Sequence, residues 1–148
     1  MIKELLMAVE ERLKEVKELA YIDADWGQGD KQQPAVKFPA CLVGLNRESI
    51  EQQFLARGLE SKYEISVKLL TITLNREDKF KQYDLVEQVK DILHSKHIEY
   101  FYIIYEGCQM YTREDDVKEI VMNFGATIGY WQKQEPCKVI GINVDYER

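Results

Sequence analysis

Cysteine, histidine, serine and proline are all scarce in this chain, and each scarcity removes a class of chemistry. The three cysteines, Cys41, Cys108 and Cys137, are an odd number with no CxxC pair, so neither a disulfide framework nor a thiolate zinc site is indicated. A reducing cytoplasm is the expected place of synthesis. His94 and His97 stand three apart, but no HExxH and no cysteine pair completes a metal set around them. Ser49, Ser61, Ser66 and Ser95 include none in a GxSxG turn, which removes the commonest hydrolase signature. Cys108, in "YEGCQMY", reads as a small half-buried apolar residue at a strand end rather than a nucleophile.

Long apolar runs are missing too. No segment reaches the roughly 20 residues of a membrane span, and the opening "MIKELLMAVEERLKEVKEL" carries too much Lys and Glu for a secretory signal. A membrane is not an expected partner. With a formal charge of -6 and a pI near 5.1, nucleic acid is not the default partner either. Low-complexity tracts and internal repeats are absent. What is present is the material of one globular domain, 148 residues that are 45% apolar and 31% charged, enough for one core and short for two.

Glycine and aspartate cluster once, in "YIDADWGQGDKQQP" from Tyr21 to Pro34. An EF-hand starting at Asp23 would need an oxygen ligand at its fifth position, Gly at its sixth and Glu at its twelfth. Gly27, Gln28 and Pro34 stand there. A dinucleotide loop would need a glycine at the position of Gln32 and a helix after it. The stretch therefore reads as the end of a strand and a flexible turn.

Ile2, Leu5, Leu6, Val9, Leu13, Val16 and Leu19 recur at three- and four-residue steps, one apolar stripe on a helix whose other side is Glu and Lys. Ile22, Ala24 and Trp26 then alternate with Tyr21, Asp23 and Asp25 as a strand would. "VKFPACLVGL" (36–45) is a second strand, and Pro39, which cannot donate to a ladder, suggests an edge or a bulge. "KYEISVKLLTITL" is a third, with its apolar phase shifting at Leu70. Such a shift calls for a bulge or for burial of both faces, and a bulge is the expectation. A second amphipathic helix lies between Asp78 and Lys96, carrying Leu85, Val86, Val89, Ile92 and Leu93, with Asp78 or Asp84 as candidate caps. "YFYIIYEG" (100–107) has the composition of a strand packed on both sides. Ile120 to Tyr130 alternate as a long final strand, and "KVIGINV" could add a short one.

The expected architecture is α+β: a mostly antiparallel sheet of about five strands, with two amphipathic helices packed on one face. A single domain spans 1–148, with 131–148 as a C-terminal tail or extra strand. "NRESIEQQFLARGLES" (46–61) is long for a connection between adjacent strands. Its Ile50, Phe54, Leu55 and Leu59 either form one face of a short helix packed on the domain or offer apolar anchors to another chain. "TREDD" (112–116) reads as a solvated hairpin tip.

The series resembles the tail-terminator, or tail-completion (minor tail), proteins of long-tailed bacteriophages and prophages. The helix "IKELLMAVEERLKEV", the strand "FPACLVGL" with its long following loop, and "YEISVKLLTITL" leading into "YDLVEQVKDIL" carry it. "YFYIIYEG" and "VKEIVMNFGATIGY" across an acidic hairpin complete it. The resemblance covers Ile2 to Tyr130 and is one of element order, without a diagnostic short motif. It implies a virion structural protein at the head–tail junction, assembled in the bacterial host cytoplasm. There a homo-oligomeric ring, usually a hexamer, caps the tail tube and stops its polymerisation. The implied partners are further copies of itself, the tail tube protein and a head-completion protein; no catalysis and no cofactor are implied. Candidate contacts on that reading are Pro39 at a strand edge, Ile50, Phe54, Leu55 and Leu59 in the long segment, and Asp115 and Asp116 in the acidic hairpin.

Two other classes follow from the residues. One is a small monomeric ligand-binding or regulatory domain whose aromatic strand, Tyr100 to Tyr105, lines a pocket. The other is an enzyme that gathers Asp23, Asp25 and the carboxylates of 112–116 around a metal.

Overall fold

The structure, a computed structural model, describes residues 2–30, 36–53, 59–72, 80–113 and 116–129. Its elements in chain order are α1 (Ile2–Leu13), β1 (Tyr21–Ala24), β2 (Ala40–Gln53), β3 (Leu59–Ile72), α2 (Lys81–Leu93), β4 (Lys96–Ile98), β5 (Phe101–Thr112) and β6 (Val117–Gly129). The strands form one sheet in the order β1-β2-β3-β6-β5-β4. Among the described residues, no helix is long and apolar enough to cross a membrane.

The helical stripes become the core. α1 buries Leu5, Val9 and Leu13, while α2 buries Leu85, Val86, Val89 and Leu93. All seven pack in one cluster with Cys41, Val43, Ile65, Val67, Leu69, Ile103, Ile120, Met122 and Phe124, so both helices cover the same face of the sheet. Each such aliphatic side chain removed from water contributes about 1.5–3 kcal/mol before conformational entropy is subtracted. Arg12 ties the two helices together, its Nε donating to the Ile92 carbonyl at 3.2 Å. α2 begins at Lys81 with Phe80 at the N-cap and no side-chain cap; Asp84 lies in its first turn, and Asp78 lies outside the described residues.

The α+β class stands, but the sheet is six-stranded and mixed rather than mostly antiparallel with five strands. The additional strand is β4, only three residues long, which pairs antiparallel with Phe101–Ile103. So short an element leaves no legible alternation in the sequence. The parallel member is β1, whose Tyr21–Ala24 register with Ala40–Val43 of β2. Parallel neighbours need the chain to cross back over a face of the sheet, which a hairpin turn cannot do. The glycine- and aspartate-containing stretch after β1 begins that crossing.

Two further expectations give way. No bulge interrupts β3 at Leu70: its register with β6 runs unbroken from Glu60 to Ile72, and with β2 it is regular from Ile65 to Leu70. The phase shift instead records burial of both faces, because Leu70 packs with Ala40, Leu42 and Val117 in a second cluster on the side away from the helices. The long connection 46–61 is mostly strand as well. β2 continues to Gln53 and pairs back along β3 to Leu59, so no helix forms at Asn46–Gln53, and only 54–58 lie outside the described residues. β5 alternates, with Phe101 and Ile103 buried and Tyr102 and Ile104 half-buried, rather than being packed fully on both sides.

Candidate functional site

The crossing segment after β1 is bonded to the sheet rather than a loose turn. Its first residue continues the parallel ladder, the Asp25 amide donating to the Val43 carbonyl at 2.8 Å. Asp25 Oδ1 then accepts from the Gly27 amide at 3.0 Å, and Gln28, almost fully buried, donates through Nε2 to the Ala24 carbonyl and accepts from the Trp26 amide. Gly27, at φ +96°, takes a conformation that favours glycine. Gly29 lies against Leu42 and Leu70, where a Cβ would come within 2.7 Å of Leu70 Cδ1 and 2.8 Å of Leu42 Cδ1. The segment thus straps the second apolar cluster, which no helix covers among the described residues. Trp26, expected to continue the β1 alternation, is 68% exposed because it lies beyond the strand end.

Ion pairs fasten the strap. Lys68 Nζ stands 3.0 Å from Asp30 Oδ1 and 3.4 Å from Asp25 Oδ2. Burial works against the Lys68 charge, but the hydrogen bond to Asp30 and the charges of Asp25 and Glu119 outweigh it, holding its pKa above the ordinary value. Arg113, at the end of β5, donates to the Gly29 carbonyl and pairs with Glu119 at 3.5 Å. Asp25 of the imagined metal set is therefore bound to a cation of the chain itself. Asp23 accepts from the Tyr21 hydroxyl at 3.0 Å and from the Ala24 amide at 2.8 Å. Asp116 is exposed at φ +65° in the β5–β6 turn, and Asp115 lies outside the described residues. Among the described residues, no group of three or more His, Cys, Asp or Glu side chains is placed to hold a metal ion.

The histidines are separately engaged. His94 follows α2, and its Nδ1 accepts from the Tyr105 amide at 2.9 Å; His97 lies on β4 with its ring 4.8 Å from that of Tyr102. Cys108 is half-buried at the margin of the core beside Tyr105, as expected, but it lies within β5 and not at a strand end. The Tyr105 pKa is pushed up to about 12, first by burial and then by the hydrogen bond and charge of Cys108. Burial likewise raises the Cys41 thiol well above its ordinary range. Shallow open clefts flank α1, one of them ringed by Glu4, Glu10, Glu11 and Glu99 around Met7 and Ile22. The aromatic strand Tyr100–Tyr105 lines neither; Phe101 and Ile103 are spent on the core, and Tyr105 packs 5.4 Å from Phe124.

The proposed contact residues fall at two ends of the sheet. Ile50 pairs with Ser61 and Leu59 with Gln53 near the tip of the β2–β3 hairpin, while Phe54 and Leu55 lie outside the described residues. Pro39 and Asp116 are at the opposite end. Pro39 does not mark a sheet edge. It precedes the first residue of β2, its carbonyl accepts from the Ala20 amide at 2.8 Å, and β1 lies outside it in the sheet. The two groups of candidates are about ten rungs apart along β2, roughly 30 Å.

Sequence reasoning missed the polar upper half of the sheet face opposite the helices. There Arg47 pairs with Glu64 at 2.8 Å, Lys62 pairs with Glu106, and Asn46 meets Asn123 at 3.4 Å. The signal was present in the Lys62-Glu64-Ser66-Lys68 alternation, which marks one wet face of β3.

No family model matches the chain, and no curated protein matches it. Among solved structures, a chain from the virion of a native gene transfer agent particle has a similar fold. The TM-score is 0.57 at 15% sequence identity, and the match covers 84% of this chain and 94% of that one.

Proposed function

We propose that this chain is a structural protein of a phage-like virion and that, within such a particle, it serves as the tail terminator. The observation that carries the reading is the fold shared with a virion chain over nearly the whole of both molecules. The order of helices and strands that resembles tail terminators supports the finer role. On this reading the protein is not catalytic and needs no cofactor. It works by shape: copies join through a heterologous interface whose rotation closes into a ring, of six subunits by the resemblance. The ring seats on the tail tube and offers its other side to the head-completion protein.

The two ends of the sheet suit those two tasks. At one end, Ile50 and Leu59 lie on the paired arms of the β2–β3 hairpin, and together with Phe54 and Leu55, which lie outside the described residues, they are the proposed apolar anchors. At the other end are Pro39, just before β2, and the exposed Asp116; Asp115, outside the described residues, is proposed to act with Asp116. The test is absolute mass by light scattering coupled to size exclusion, negative-stain imaging, and addition of the protein to growing tail tubes. Closed rings that arrest tube growth are expected, and a Phe54→Asp/Leu55→Asp variant should lose tube arrest. A protein that neither forms rings nor shortens tubes would overturn the reading.

A further inference from the structure

The sheet has two edges, and among the described residues each is covered over only half its length; residues 131–148, expected as a tail or extra strand, lie outside the described residues. β1 pairs with Ala40–Val43 of β2, which leaves the outer side of Gly44–Gln53 without a strand among the described residues. β4 pairs with Phe101–Ile103 of β5, and the Tyr105 amide goes to His94, which leaves the outer side of Glu106–Thr112 without a strand among the described residues. The β2 opening is at the hairpin end of the sheet and the β5 opening at the other end, so the two gaps lie on a diagonal.

The two edges are built differently. On β2, register shifts after Leu45 and Ile50 and the charged pair Arg47 and Glu48 guard against indiscriminate strand pairing. On β5, Glu106 and the register shift at Gly107 stand at the start of the opening, and the stretch beyond them, Cys108–Thr112, contains no charge, no proline and no register shift. Met110 and Tyr111 are 48% and 47% exposed there, on opposite faces of the strand. An unguarded edge of this kind is a template that a soluble protein normally covers.

We propose that the open half of β5 in one copy pairs antiparallel with the open half of β2 in the next, joining the sheets edge to edge around the ring; this rests on the ring reading above. Three features of the fold fit it. First, β2 and β5 run in opposite directions within the sheet, so copies related by rotation about one axis bring them together in the antiparallel sense. Second, the short strands clear each other. With Thr112 of one copy beside Leu45 of the next, β1 ends just below the junction and the neighbour's β4 begins just above it.

Third, the stagger has the size that closure requires. Gln109 is level, through Val121 and Lys68, with Leu42, whereas the middle of the β2 opening, Ser49, is level with Lys62. From Lys68 to Lys62 is six residues, about 20 Å of strand. Each copy contributes four long strands, about 19 Å of circumference. The ratio sets a strand tilt of about 45°, within the usual range of closed barrels.

The test is hydrogen–deuterium exchange on the full-length wild-type protein as oligomer and as diluted monomer, together with a Met110→Lys/Tyr111→Lys variant checked for folding by circular dichroism. Rings with slowed exchange at both 44–53 and 106–112, and a folded variant that stays monomeric, are the expected results. Rings in which either segment exchanges as in the monomer, or rings that persist in the folded variant, would overturn the edge pairing and leave the ring reading standing. A wild-type protein that is monomeric at every concentration and leaves growing tubes unshortened would overturn both. A two-fold dimer protected only at 106–112 would likewise overturn the pairing with β2.

Discussion

Lys62 on β3 and Glu106 on β5 form an ion pair across the backbone of Gly125, which lies on the strand between them. A Cβ at 125 would sit 2.8 Å from both Glu106 Oε2 and Lys62 Cε, so the absence of a side chain is what lets the pair close. Glu106 reaches this position through the register shift between Tyr105 and Gly107, with Gly107 at φ +134°. The atoms in the way are the ends of two flexible, part-exposed side chains. Gly125→Ala should therefore separate the pair at small cost, within about 1 kcal/mol of wild type. Urea denaturation measures it, and a loss of more than about 2 kcal/mol would show that the strand itself had to move.

Gly29→Ala should behave in the opposite way. Here the atoms in contact are the Cδ1 methyls of Leu42 and Leu70, which are fully buried and have no room to turn aside. Overpacking of this kind costs about 1–3 kcal/mol, which in a domain of this size lowers the melting temperature by roughly 2–4 °C per kcal/mol. A variant that melts with wild type in calorimetry would mean that the strap does not hold the sheet closely.

The contrast marks how much of the fold was legible in sequence. Stripes such as Leu5-Val9-Leu13 and Ile120-Met122-Phe124 specify their elements locally, because burial on one face fixes the period. The Leu69–Leu70 step was ambiguous because covering the second face depends on Gly29, forty residues away, and no local pattern encodes that contact. The same holds for β1, whose parallel pairing is decided by where residues 25–30 go. At the sheet margins, the three residues of β4 were too few to show a period, and the openness of β2 and β5 among the described residues is a property of neighbours that stop short. The polar character of the Lys62–Lys68 alternation was visible in sequence, but its ion-pair partners were not.

If the second cluster is a true core, Leu70→Ala should cost about as much as Leu69→Ala on the helix-facing side, about 2–5 kcal/mol each. Both leucines are fully buried, one beneath the strap and the other beneath the helices. Chemical denaturation of the two variants side by side makes the comparison. A Leu70→Ala cost far below that of Leu69→Ala would mean that the strap leaves its cluster open to water.

Alkaline titration tests the packing at the other margin. Burial, then the neighbouring Cys108, moves Tyr105 from the ordinary phenol value near 10 up to about 12, and Lys90 Nζ stands 5.0 Å above its ring. Below pH 10 the phenol is protonated in both folded and unfolded chains, so its contribution to stability is fully present. Between about 10 and 12 the unfolded chain releases this proton while the folded chain keeps it, so stability falls as pH rises through that window. Tyr105→Phe should flatten the decline in urea midpoint over that window and remove one phenol's absorbance step at about pH 12. Profiles that superimpose on wild type would show that another group, such as the ion-paired Lys68 of the strap, carries the alkaline loss instead.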